Sequence, residues 1–322
     1  MQKYKAAVRL TPNKSHMNHT SLRSVFRATL PTLFLIASVA NISAQLPAFP
    51  GAQGFGRFAT GARGGSVYFV TTTNDTGAGS FRDAVSVSGR TVIFRVGGVI
   101  DYQAPRYAPQ PNITIAGQTA PGDGVTIYGD GLSFSGSHNN IARFIRVREG
   151  INGTSGTDAM GIANGHDMIF DHITSSWGRD ETFSISGSIT NITIQSSIIS
   201  QGLQGHSAGG LIQTDGGVSI LRSLYIDNDT RNPKVKGVME FANNVICNWE
   251  TIGYNMGGDS AGESFVNVFN NYFIRGQASA ARPSAAATLT STSTPRTTGM
   301  TRTKTAPSMA AKCPSPVTAR WI

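Results

Sequence analysis

Cysteine is nearly absent: the 322-residue chain has two, Cys247 in the body and Cys313 near the end. Two widely spaced cysteines exclude the disulfide framework of a small secreted scaffold, and Cys247 reads as a buried apolar filler rather than a redox centre. Acidic residues are missing from both ends. Residues 1–44 carry six Lys and Arg, and residues 277–322 another six, with no Asp or Glu in either segment. The formal charge of +9 thus belongs to the ends, and 45–276 holds 15 basic against 18 acidic residues, a net of −3. A mildly acidic body removes the net-charge argument for nucleic-acid binding. An apolar run long enough to cross a bilayer is lacking too. Leu30 to Ala40 is apolar, follows Arg23 and Arg27, and precedes the small residues Ser43 and Ala44. That is the pattern of a signal peptide within a leader 1–44, so the expectation is a secreted, extracellular chain with no membrane attachment after its removal.

Helix-length amphipathic patterns are also missing from 111–276, which disfavours a doubly wound α/β fold. What is there instead is a series of short β-type runs with alternating apolar residues: Asn112–Ala116, Ile141–Val147, Met168–Ile173, Ile192–Ile199, Val218–Ile226, Val238–Ile246 and Phe265–Ile274. Matching points recur about every 21–27 residues, the period of a stacked solenoid. Gly, Asn, Asp and Ser fill the gaps, as tight corners require. The expected fold is all-β, a right-handed parallel β-helix over 45–276, with a short helical turn at Ser80–Val85 near its start. Asn243–Asn244 and Asn270–Asn271 fall at corresponding places in successive repeats, where stacked amides would form a hydrogen-bonded ladder. The segment 277–322 is rich in Ala, Ser, Thr, Pro and Arg and reads as a low-complexity tail, either a disordered linker or a frameshifted or truncated end.

Five segments carry a family resemblance: Ala48–Arg63 (AFPGAQGFGRFATGAR), Asn74–Val85 (NDTGAGSFRDAV), Asn112–Gly124 (NITIAGQTAPGDG), Phe170–Thr182 (FDHITSSWGRDET) and Thr230–Pro233 (TRNP). In this order, over a β-helix repeat, the body from about 47 to 276 resembles the pectate lyases of polysaccharide lyase family 1. The resemblance implies polygalacturonate (pectin) as substrate, calcium as cofactor and β-elimination as chemistry, by a monomer. Elimination removes the weakly acidic proton beside a uronate carboxylate. Charge that develops there needs a divalent cation and basic side chains, and a base must stand on the other side of the sugar carbon.

A hard, oxygen-ligated ion needs clustered carboxylates. Asp158, Asp180 and Glu181 are the candidates, with 22 residues, about one coil, between Asp158 and Asp180. By strand alternation only one of Asp180 and Glu181 lines a groove, and Asp180 is favoured. Ser184 stands where many members of the family have a third acid. Asp171 and His172 match the family's Asp-His pair and read as a structural, hydrogen-bonded corner. The resemblance makes Arg231 the catalytic base, although a guanidinium ordinarily stays protonated. Lys236 stands where a second family arginine binds substrate carboxylate, as a point charge rather than a fork. Lys234 is a second candidate for that role. No lysine occurs in Ile192–Gly210, where the family has one, and His206 takes that place. Asn-x-Ser/Thr sequons at Asn74, Asn112, Asn152, Asn191 and Asn228 matter only in a eukaryotic secretory pathway, where the chain would be a glycoprotein. Two other readings stand beside the lyase: a polygalacturonase-like hydrolase using paired acids, and a non-catalytic carbohydrate-binding or inactive β-helix.

Overall fold

The computed structural model describes residues 45–103, 106–203, 205–257, 263–277 and 279. The expected leader 1–44 and nearly all of the expected tail 277–322 lie outside the described residues. Among those described, strands pair in parallel throughout, in an 11-stranded and an 8-stranded sheet. Each sheet receives one segment from each successive coil, so the chain winds as a parallel β-helix. In the smaller sheet Thr126, Arg146, Thr174, Ile198, Leu224, Val245 and Tyr272 lie side by side. Those neighbours are 20 to 28 residues apart in sequence, slightly wider than the spacing read from the sequence.

Five of the seven β-type runs prove to span two strands each, with one residue at positive φ between them. In Ile192–Ile199 the strand of the larger sheet ends at Gln195, Ser196 turns at φ 50°, and Ile198–Ser200 joins the smaller sheet. His172, Arg222, Asn243 and Asn270 turn the chain in the same way at the same corner. Stacked αL corners of this kind explain why alternation breaks in mid-run. The larger sheet bends as well: the long strands Met160–Asp171, Phe183–Gln195, Leu211–Leu221 and Lys234–Ala242 shift register part-way along. Their first limbs, such as Lys234–Lys236, form a third face that the sequence reading did not separate from the corners.

Inward-facing residues stack coil upon coil. Ile115, Ala142, Phe170, Ile194, Ile220 and Phe241 follow one another in register and are fully buried. Burying each large side chain of such a column contributes about 1.5–3 kcal/mol. The helical turn is present as Phe81–Ala84, capped by Ser80, whose Oγ accepts the Asp83 N–H at 3.1 Å. Phe81 is fully buried and stacks on Phe94, closing off the first coil. The segment Ala48–Arg63 is a strap across the outside of the larger sheet. Its backbone bonds to Gln195, Thr193, Ser219, Asn139 and Thr114 side chains from several coils. It approaches so closely at Gly56 that a β-carbon there would lie 2.1 Å from the Met168 carbonyl oxygen. Cys247 is buried, as expected.

The asparagine ladder forms through backbone rather than amide to amide. Asn271 Oδ1 accepts the Asn244 N–H at 2.8 Å, Asn244 Oδ1 accepts the Ser223 N–H at 2.8 Å, and Ser223 Oγ accepts the Ser197 N–H at 3.2 Å. Asn244 Nδ2 also donates to the Ile220 carbonyl at 2.9 Å. Each buried polar side chain satisfies a backbone group that the corner frees. Asn244→Ala orphans one N–H and one C=O in the interior, so its urea midpoint should correspond to a loss of about 2–4 kcal/mol. Asn243→Gly, at the exposed αL position beside it, should stay close to the parent. Equal stability of the two variants would contradict the ladder's role.

Candidate active site

The chain passes from the smaller sheet to the third face through irregular segments, and these carry most of the candidate residues. Parallel bridges place Glu181 beside Ala208 and Ala208 beside Thr230, so three coils align. The Asp180 N–H donates to the Thr157 carbonyl at 2.9 Å and the Gly210 N–H to the Arg231 carbonyl at 2.7 Å. Asp158, Asp180, Glu181, His206 and Arg231 are thereby brought together from four loops.

The Glu181 N–H donates to Asp158 Oδ1 at 3.1 Å. His206 Nε2 lies 3.2 Å from Asp180 Oδ1 and 4.0 Å from Glu181 Oε1. Both neighbouring carboxylates approach His206, but they differ in access: the Asp180 side chain is 37% exposed and the Glu181 side chain 5%. Ligand atoms of Asp180, Glu181 and His206 lie within 4.8 Å of one another, the one such group of three among the described residues. Burial first, and then the charge of Asp180, pushes the Asp158 carboxyl up to about 7, against the pull of Arg106, Arg231 and His206. Crowded carboxylates of this kind are what a divalent cation relieves. Asp180 and Glu181 offer carboxylate oxygens suited to a calcium ion, with Asp158 next to them through the Glu181 N–H, whereas the imidazole does not add to a hard-cation set.

Arg231 sits at φ 53°, just before the cis Asn232–Pro233 bond, and its guanidinium pairs with the Glu181 carboxylate. Its loop is pinned from inside: Asn228 Nδ2 donates to Asn232 Oδ1 at 3.0 Å, and Asn228 Oδ1 accepts the Gly202 N–H at 3.0 Å. Asn228 is 1% exposed, so the sequon there is closed in the folded chain. Lys234 and Lys236 lie on the third face, two residues apart on one strand, beside Leu211 and Gln213. Lys236 is buried and Lys234 half-buried. Ser184 stands on the same face between Gly161 and Leu211, and its Oγ accepts the Leu211 N–H at 3.1 Å. It thus closes a backbone bond instead of supplying a carboxylate.

Sequence reasoning missed Glu149, Arg106 and Arg179. Glu149 is fully buried and its carboxyl is pushed up to about 7 by burial, against hydrogen bonds from Thr157 and the Arg179 N–H. Arg106 donates to the Asp130 and Asp158 carbonyls. No sequence signal marked these three: Glu149 directly follows a strand of the smaller sheet, at the place that Trp177 takes one coil later.

Asp171 and His172 form the expected corner, His172 Nδ1 lying 2.9 Å from Asp171 Oδ2. Arg143 Nη2 and Nε reach the same oxygen at 2.7 and 2.8 Å, and Gln195 Nε2 donates to the other at 2.8 Å. Burial raises the Asp171 carboxyl, but bonds from Gln195, His172 and Arg143 outweigh it and hold it below its ordinary value. The cluster stands on the larger sheet and contacts the strap, Arg143 stacking 3.8 Å over the Phe49 ring.

Fold and site together define a parallel β-helix with carboxylates and cationic side chains facing one another along one edge. Comparison with known proteins narrows this. No family model matches the chain. It is 60% identical over 246 residues to a probable pectate lyase C of Aspergillus flavus, and 58% identical over 250 residues to one of Aspergillus fumigatus. These matches cover 76% and 78% of this chain, and the chain spans only 58% and 59% of the relatives' length. Among solved structures, the cedar pollen allergen Jun a 1 superposes with a TM-score of 0.51 at 17% identity, covering 75% of this chain and 86% of that one. The pectate lyase Bsp165PelA of Bacillus sp. N165, in complex with trigalacturonate, gives 0.50 at 14% identity, covering 69% of this chain and 75% of that one. The two structural likenesses establish the parallel β-helix fold.

Arg143→Met should leave Asp171 buried and underpaired, costing about 3 kcal/mol at pH 7. A carboxyl held low in the folded state contributes stability that is complete above its unfolded pKa of about 3.9 and is lost as pH falls through the lower folded value. The gap in unfolding midpoint between parent and variant should therefore be widest at neutral pH and close in acid. A gap independent of pH would contradict the pairing.

Proposed function

We propose that the chain is a secreted, monomeric pectate lyase that cleaves polygalacturonate by calcium-assisted β-elimination, leaving a 4,5-unsaturated end. The observation that carries this reading is the meeting of Asp158, Asp180 and Glu181 with Arg231 at one corner of the β-helix. Identity of about 60% to curated pectate lyases over three quarters of the chain supports it. Secretion rests on the apolar run Leu30 to Ala40, outside the described residues.

In this reading Asp158 and Asp180 hold the cation, with Glu181 divided between it and Arg231. When bound, calcium offsets the charge that builds on the uronate carboxylate. Arg231 faces the sugar proton and accepts it in its neutral guanidine form, or holds the water that does. The electrons of that C–H bond form the new double bond, and the glycosidic oxygen leaves with the rest of the polymer, taking a proton from solvent. Glu181 orients the guanidinium. Lys234 and Lys236 supply positive charge along the same edge, and His206 a hydrogen-bonding ring, for the uronates on either side of the cleaved bond.

Arg231→Ala should lower elimination by about two to four orders of magnitude, the usual worth of a general base, with folding and calcium binding intact. Normal turnover in that variant removes Arg231 from the mechanism. Asp180→Ala should raise the calcium needed for half-maximal activity about tenfold, the lower end of what losing one hydrogen-bonded carboxylate costs. An unchanged requirement removes Asp180 from the cation site. Both are read from the ultraviolet absorbance of the unsaturated uronide, with calcium and then with chelator.

A further inference from the structure

We infer that Glu149 is a positioning residue for the cation site, a buried carboxylate clip that fixes the two loops carrying Asp158 and Asp180 to each other. This rests on the proposed function above and adds to it a residue that never touches substrate.

The geometry is a closed ring of contacts. Glu149 Oε1 accepts from the hydroxyl of Thr157, the residue before Asp158. Glu149 Oε2 accepts the backbone N–H of Arg179, the residue before Asp180, at 3.0 Å. One carboxylate thus grips both approaches. The Arg179 guanidinium returns to the first loop through the Gly153 carbonyl, and the Asp180 N–H bonds to the Thr157 carbonyl. Arg106 closes the far side, its Nη2 donating to the Asp158 carbonyl at 2.8 Å and lying 3.9 Å from Glu149 Oε1.

Space is reserved for this carboxylate. A β-carbon at Gly153 would lie 2.5 Å from Glu149 Cγ and 2.8 Å from the Gly129 carbonyl oxygen, so the loop passes over the side chain only as glycine. Glu149 is fully buried. A charged group is held in the interior at a cost, and its two hydrogen-bond partners are in the segments that place the two acids. Two carboxylates that repel each other drift apart unless their backbones are fixed. Preorganisation of that kind sets how much of the binding energy of a cation survives.

The test uses the full chain and two variants, Glu149→Gln and Thr157→Val, with Glu149→Ala as the severe case. Gln keeps the size and one acceptor for the Arg179 N–H, while Val removes the Thr157 arm together with that hydroxyl's bond to the Thr154 carbonyl. Calcium affinity is measured directly by isothermal titration calorimetry. It is set beside the thermal midpoint without calcium and the turnover number at saturating calcium. The inference predicts calcium affinity reduced about tenfold or more in Glu149→Ala, within the 10–100-fold range for lost partners of metal ligands. It predicts a smaller loss in Thr157→Val, partial rescue in Glu149→Gln, and turnover largely recovered at saturating calcium. A lower midpoint in every variant with calcium affinity unchanged makes Glu149 a stability element only and overturns the inference. A parent chain that makes unsaturated product with affinity unaltered in all three variants also overturns it, leaving the function standing. A parent that binds no calcium and makes no product overturns both.

Discussion

Register between coils is the constraint on which everything else in this protein depends. Each strand bonds to the matching strand of the next coil, and a slip by one residue would turn an inward column such as Ile194, Ile220 and Phe241 outward. It would also separate Asp158 from Asp180 and Arg231 from Glu181, because these pairs are neighbours only through the same alignment. Core and site are therefore specified by one set of hydrogen bonds. Three devices hold the register. The buried ladder Asn271–Asn244–Ser223–Ser197 pins one corner from inside. The αL residues turn the same corner outside it. The glycine-rich strap ties Thr114, Asn139, Thr193, Gln195 and Ser219 together from the surface.

The fold was legible in the sequence because its signals repeat. Alternation in runs such as Val218–Ile226, asparagines at matched places and the absence of long helices each point to a solenoid, and the structure agrees. The division of most runs into two strands was not legible, since a corner such as Arg222 has no distinctive residue type: His, Ser, Arg and Asn all occupy it. The third face was hidden for the same reason. Lys234–Lys236 is too short, and too polar on its outer side, to announce itself as a strand.

At the site, residue types were more readable than geometry. The acids, Arg231 and His206 were found by family motifs, and the structure gathers them at one corner. Of the neighbouring acids Asp180 and Glu181, the first is the more open and the second is buried against Arg231. Glu149 escaped altogether. Nothing in one sequence marks a buried carboxylate whose partners are a hydroxyl eight residues on and a backbone N–H thirty residues on. Two carboxyls that burial pushes up to about 7, Asp158 and Glu149, stand together at the candidate site.

The central claim is elimination rather than hydrolysis or simple binding. Mass spectrometry of the oligomers released from polygalacturonate, with calcium and with chelator, tests it most directly, since each eliminated bond leaves a new end lighter by one water than the hydrolysed one. The account predicts such unsaturated ends with calcium and no cleavage with chelator. Saturated ends formed regardless of calcium would contradict it in favour of a hydrolase, and a folded protein that releases no oligomers would contradict catalysis itself.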